Sequence, residues 1–323
     1  MRLLKLALAG AAFLGSSLVA QAQDDFPSKP IEFVCATSAG SGAANWCLLM
    51  AEMAGEQLGT PIEVLFKPSG AGNEAAAYVA SKPADGHTWL HRNTSYGGYM
   101  NLPTFQPDPM GFEVPVEVEK FLYVIAVNKD APYQTWEDLV TAMKAADEPI
   151  PVAANKPGSA HHLHIVKLFE AAGVPFRFVP YNGSGGAMRD TLAGAVDVAI
   201  GPPGIWIPHV QEGNARFLML INEEHIDRPG LAGLPIPSDF GMEYDMTHQV
   251  QGMFTKKGTP PEVNAKIAAA LEAATSSDRY KEYAAQQVHV VPQFSGDIDA
   301  NTERFHGLLG SMKAALTEAG IIN

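Results

Sequence analysis

Ile31-Glu32-Phe33-Val34-Cys35-Ala36, then Thr37-Ser38-Ala39-Gly40-Ser41-Gly42-Ala43-Ala44, then Asn45 to Leu58: the reading of this stretch decides how the chain folds. The first six residues read as a strand, the small-residue run as a loop, and the last segment has helical periodicity. Working outward, Ile62 to Phe66 is a second strand, Lys67 to Asn73 a turn, Glu74 to Ser81 a helix and His87 to His91 a third strand. Strands alternating with helices predict a parallel sheet covered by helices on its faces.

The pattern resumes after a Pro-rich, acidic stretch at 97–119 with poor periodicity. Phe121 to Val127 is read as a strand. Thr135 to Ala145 is read as a helix opened by a capping-box-like Thr135-Trp136-Glu137-Asp138. Strands are expected at 151–154, 177–179, 196–200 and 217–221, with helices at 160–172, 186–194 and 205–212. An irregular run, 226–247, precedes a strand at 249–255 and helices at 260–275 and 305–319. Two βα series and a returning strand predict an α/β protein of two lobes, each a mostly parallel sheet flanked by helices, with a ligand cleft between them. The expected division is 1–22 leader, 23–123 plus 252–323 first lobe, and 124–251 second lobe.

The N-terminus reads as a signal peptide. Arg2 and Lys5 form a basic start, Leu6 to Ala20 an apolar stretch, and Ala20-Gln21-Ala22 a cleavage site, so the mature chain is expected to begin at Gln23 in the periplasm. The net charge of −13 argues against nucleic acid as a partner, because phosphate recognition needs a basic footprint. Cys35 and Cys47 are the two cysteines. Export permits a bridge between them, but spacing alone leaves it open, and the plainer reading is two buried thiols.

Two loops carry the candidate chemistry. Thr37, Ser38, Ala39, Gly40, Ser41, Gly42 and Asn45 join a strand to a helix with almost no side-chain bulk, so backbone N–H groups can approach an anion at the helix dipole's positive end. The plainer alternative is a tight turn with a helix cap. Asn155-Lys156-Pro157-Gly158-Ser159-Ala160-His161-His162 repeats the design, and Asn155, Gly158, Ser159 and His162 are its candidate contacts. Trp46 either walls the cleft or packs in the core. His161, His162 and His164 raise a metal reading, but no acidic residue in that turn completes a site, and one histidine serving the cleft with the others exposed is preferred. Gly70-Ala71-Gly72-Asn73-Glu74-Ala75 fits a dinucleotide pattern without its distal acid, so a tight packing turn is preferred. No cofactor is expected. A hydrolase would need Ser159 and His162 as nucleophile and base, with no orienting acid nearby.

The chain resembles the tripartite tricarboxylate transporter substrate-binding proteins, or Bug receptors, from Phe26 to Ile322. The resemblance rests on Pro68-Ser69-Gly70-Ala71-Gly72-Asn73, Pro83-Ala84-Asp85-Gly86-His87-Thr88, Gly158-Ser159 with His162, Val179-Pro180-Tyr181-Asn182-Gly183, and Pro208-His209 with Gly213 and Arg216. It implies a non-enzymatic Venus-flytrap (periplasmic-binding-protein) receptor that grips a small carboxylate between lobes and delivers it to transporter subunits in the membrane; a monomer is expected, and docking of the liganded receptor on a sensor protein is the alternative partner reading. It also places Tyr181, Gly183, Gly201 and Thr94 near the cleft. The family loop often has Asp and Arg where this chain has Ala44 and Leu48. The expected ligand therefore carries no cation: a dicarboxylate or an aromatic acid.

Overall fold

The computed structural model describes residues 26–93, 95–242, 250–318 and 320–322. The leader, its cleavage site and Thr94 lie outside the described residues. Among the described residues, eleven strands form two sheets. The first contains β1 (Ile31–Cys35), β2 (Ile62–Phe66), β3 (Thr88–Asn93), β4 (Phe112–Phe121), β10 (Val250–Lys256) and β11 (Val290–Ser295), in the order β11-β4-β10-β3-β1-β2. The second contains β5 (Tyr123–Asn128), β6 (Pro151–Asn155), β7 (Arg177–Tyr181), β8 (Val198–Gly201) and β9 (Ala215–Ile221), in the order β7-β6-β8-β5-β9.

Helices α1 (Gly42–Leu58), α2 (Asn73–Ala80) and α3 (Ser95–Tyr99) follow β1, β2 and β3. Helices α4 (Trp136–Ala145), α5 (Ala160–Ala171), α6 (Ser184–Leu192) and α7 (Pro203–Gln211) serve the second sheet. The chain ends in α8 (Pro261–Ser276), α9 (Asp278–Gln286) and α10 (Ile298–Glu318). Thr135 caps α4 with the expected reciprocal box to Asp138.

Both sheets are mixed, where mostly parallel ones were expected. β1 pairs in parallel with β2 and β3, and β6 with β7 and β8. The strands that carry the chain between halves run against them: β10 against β3 and β4, and β5 against β8 and β9. The Pro-rich stretch expected to be irregular, 97–119, holds most of β4, an inner strand. Its glutamates disguised it, because Glu117 and Glu119 are buried with partners: Arg304 for the first, Tyr280 and Gln251 for the second. Helix α9 and strand β11 were likewise not expected.

Register positions the site. Gln251 opposite Asn93 and Val250 opposite Lys120 put the start of β10 and the end of β4 on the edge where β1, β2 and β3 finish. Val124 opposite Gly201 and Tyr123 opposite Ile221 put the start of β5 and the end of β9 where β6, β7 and β8 finish. The chain crosses from β4 to β5 through Leu122 alone, so the carboxyl edges of the two parallel sets are turned toward the same crossover. Ligands of open α/β sheets bind outside such edges.

Each sheet has apolar packing on both faces. A fifth cluster joins the halves: Leu163 of α5 packs with Leu308, Met312, Ala315 and Leu316 of α10. No helix among the described residues is long and apolar enough to cross a membrane.

Candidate binding site

Two turns of the same construction open α1 and α5. In Ser38-Ala39-Gly40-Ser41, the N–H of Ser41 donates to the Ser38 carbonyl at 3.4 Å; in Lys156-Pro157-Gly158-Ser159, Ser159 N–H donates to Lys156 at 3.1 Å. The third residue of each has positive φ, +82° at Gly40 and +77° at Gly158, which is the type II pattern and selects glycine. The fourth residue is the helix cap. Ser41 Oγ accepts from Ala44 N–H at 3.1 Å, and Ser159 Oγ from His162 N–H at 3.2 Å. Remaining first-turn N–H groups of a helix point along its axis and favour an anion.

The first turn is open: Ser38, Ala39, Gly40, Gly42 and Asn45 are exposed, and Thr37 bonds Ser41 Oγ at 2.9 Å. A Cys35–Cys47 disulfide ties the end of β1 to α1 beneath it, in place of the two free thiols preferred from sequence. The sulfurs meet because the turn folds α1 back over β1, a geometry spacing did not reveal. Trp46 is 1 % exposed and belongs to the core. Ala44 is fully buried and Leu48 lies 49 % exposed.

The second turn is covered by the other half. Gly158 and Ser159 are buried, and Ala160 N–H approaches Ser95 Oγ of α3 at 3.4 Å. Gly98 of α3 lies so close to Gly158 that a Cβ there would sit 1.9 Å from the Gly158 carbonyl oxygen. Since α3 follows β3, the neighbour of β1, the exits of both sheets lie together. Gly72 of the 69–72 turn packs on Tyr96 of α3, as a packing turn should.

Beyond the second turn, three side chains close a ring. Asn155 Nδ2 lies 3.1 Å from His161 Nδ1, His161 Nε2 lies 3.2 Å from Ser184 Oγ, and Ser184 Oγ lies 3.5 Å from Asn155 Oδ1. The Tyr123 ring flanks His161 at 4.5 Å between centroids. Gly201, at the end of β8, faces Ser184 and Trp206. Gly183 precedes Ser184 with an open φ of 154°. Tyr181 shares this edge, but its hydroxyl donates to Asp190 at 2.6 Å, and loss of hydration followed by that pairing pushes its ionisation up to about 12.

His162 turns elsewhere. Its ring packs on Phe178 at 4.1 Å and helps wall a cavity of about 370 Å³ behind the turn, with Pro157, Val166 and Phe176. Ser159 Oγ caps α5, so the two do not form a nucleophile–base pair. None of the three histidines is exposed, contrary to expectation: His161 is half-buried, and His162 and His164 are buried. Burial pushes His161 and His162 down to about 4, so both are neutral at pH 7. Cys35, Cys47 and His91 come together within 4.8 Å, but the bridge withdraws both sulfurs from metal ligation.

Sequence reasoning missed His161 and Ser184. Ser184 follows the same strand, small-residue loop and helix signal at β7. His161 differs from His162 only in helical phase, which no local pattern resolves.

A family model described as the tripartite tricarboxylate transporter family receptor matches residues 48–298. Protein BugT of Bordetella pertussis is 24% identical over 303 residues, covering 91% of this chain and 92% of its own. A TctC solute binding protein from Polaromonas, solved with no ligand, has a TM-score of 0.79 at 20% identity, covering 91% of this chain and 100% of that one. An R. palustris protein solved with adipate has a TM-score of 0.71 at 23% identity, covering 92% and 99%. These likenesses show a shared two-lobed α/β fold.

Proposed function

Because the chain belongs to the tripartite tricarboxylate transporter receptor family, whose members are solute-binding receptors and not enzymes, we propose that it captures a small carboxylate in the periplasm and presents it to transporter subunits in the membrane. The observation that carries this reading is the pair of matching type II turns, one opening α1 and one opening α5, on facing sheet edges. Backbone N–H groups of the exposed first turn would hold one carboxylate, charge-assisted and without a cation, and the start of α5 would close on it from the other lobe. The lobes, taken as 23–123 with 252–323 and as 124–251, would close around it, and the ligand would favour the closed state by its contacts to both. The ligand class favoured is a dicarboxylate or an aromatic acid, in keeping with the adipate held by a structural neighbour.

The test is a thermal-shift screen of mono-, di-, tri- and aromatic carboxylates, followed by small-angle scattering. One class of acid should raise the melting point, because a ligand of the folded state alone must do so. The same class should compact the protein. No stabilisation by any acid would reject the proposal.

A further inference from the structure

Asn155, His161 and Ser184 arrive at one corner from three elements, β6, α5 and the start of α6, where the parallel strands of the second sheet end. All three are partly exposed, whereas His162 and His164 of the same helix are buried. Each member of the ring donates one hydrogen bond and accepts one: Asn155 Nδ2 to His161 Nδ1, His161 Nε2 to Ser184 Oγ, and Ser184 Oγ to Asn155 Oδ1. Turning the amide over reverses the cycle and leaves the count unchanged.

A neutral imidazole satisfies this cycle, and its single acceptor nitrogen is spent within it. What the ring can still offer is donors. Asn155 keeps a second amide hydrogen, and the Ser184 hydroxyl, held at only 3.5 Å, can turn to a better acceptor. No carboxylate belongs to the ring, so an ammonium group finds no counter-charge in it. A methyl group would leave the donors unmet, which a desolvated site penalises.

We propose that the Asn155–His161–Ser184 ring is the specificity-determining corner of the site, donating hydrogen bonds to a second oxygen function on the bound acid. This rests on the carboxylate-receptor reading and narrows it: the ligand carries a further carboxylate or other oxygen acceptor beyond the group held by the two turns. His161 and Asn155 position the corner, and Ser184 and the free Asn155 N–H make the contact.

Isothermal titration with matched pairs tests it: succinate against butyrate, adipate against hexanoate, and terephthalate against 4-methylbenzoate. Each pair differs by a carboxylate in place of a methyl group. For the pair that binds, the diacid should be favoured by roughly tenfold or more, the effect of one well-made hydrogen bond. Ser184→Ala and His161→Phe, made separately so that either can decide alone, should weaken the diacid about tenfold and leave the monoacid unchanged; Ser184→Thr should restore the preference. A merely structural role predicts equal losses for both members of a pair, and that result overturns the inference while leaving the receptor reading intact. Binding of no acid by the wild-type protein overturns both.

Discussion

Glu119 is 1 % exposed, on β4, between β11 and β10 of the first sheet. Tyr280 Oη donates to its carboxylate at 2.5 Å and Gln251 Nε2 at 2.9 Å; Gln251 in turn meets His91 Nε2 at 3.1 Å. Burial raises Glu119 to about 7, against the hydrogen bonds of Tyr280 and Trp46, which pull it down. An acid whose folded value lies above its unfolded one stabilises the fold most when protonated. Its contribution is full below about 4.5 and is lost as pH rises through about 7. Urea unfolding at pH 5 and pH 8 should therefore show a wild-type decline, relative to Glu119→Gln, on the order of 3 kcal/mol. Equal pH dependence in the two proteins would refute the assignment. The same residue shows why sequence misleads locally: a strand with glutamates at 113, 117 and 119 and a proline at 115 looks like an exposed strand or a loop until the buried partners are known.

The strand–turn–helix element is where sequence and structure agree most closely. Pro157-Gly158-Ser159 carries its own instructions, with Pro for the second turn position, Gly for positive φ and Ser for the cap. Ser38 to Ser41 follows the same plan without the proline. Loss of either cap should cost about 1 kcal/mol in denaturant unfolding. Ser159→Ala should cost more than Ser41→Ala, because Ser159 is 1 % exposed and water cannot replace its bond to His162 N–H. The reverse order would mean that the turn over the first sheet, and not the one beneath α3, is the better shielded. Elements whose stability comes from distant partners were less legible. Among the described residues β11 pairs with β4 alone, and α9 is anchored by Tyr280 on Glu119, so neither declares itself by periodicity.

For the whole molecule, the decisive contact is Gly98 against Gly158, where the two halves meet beside the site. Gly98→Ala places a Cβ into the Gly158 carbonyl, and the neighbouring element must retreat. The expected outcome is a larger radius of gyration in the presence of acid and roughly tenfold weaker binding, the equivalent of about 1.4 kcal/mol of lost closure. Unchanged scattering and affinity would show that this contact does not govern closure. The α10–α5 cluster around Leu163 and Leu308 holds the same boundary, so the variant should shift the lobes without unfolding them.

The chain's own order of residues settled the α/β class, the two βα series, both strand–loop–helix turns and the family, because turn chemistry is written within four or five consecutive positions. Only the tertiary structure decided which histidine joins Asn155 and Ser184, that Cys35 meets Cys47, that a run of glutamates is an inner strand, and that the two carboxyl edges face one crossover. Those facts depend on helical phase, strand register and partners far away in sequence, none of which a local pattern encodes.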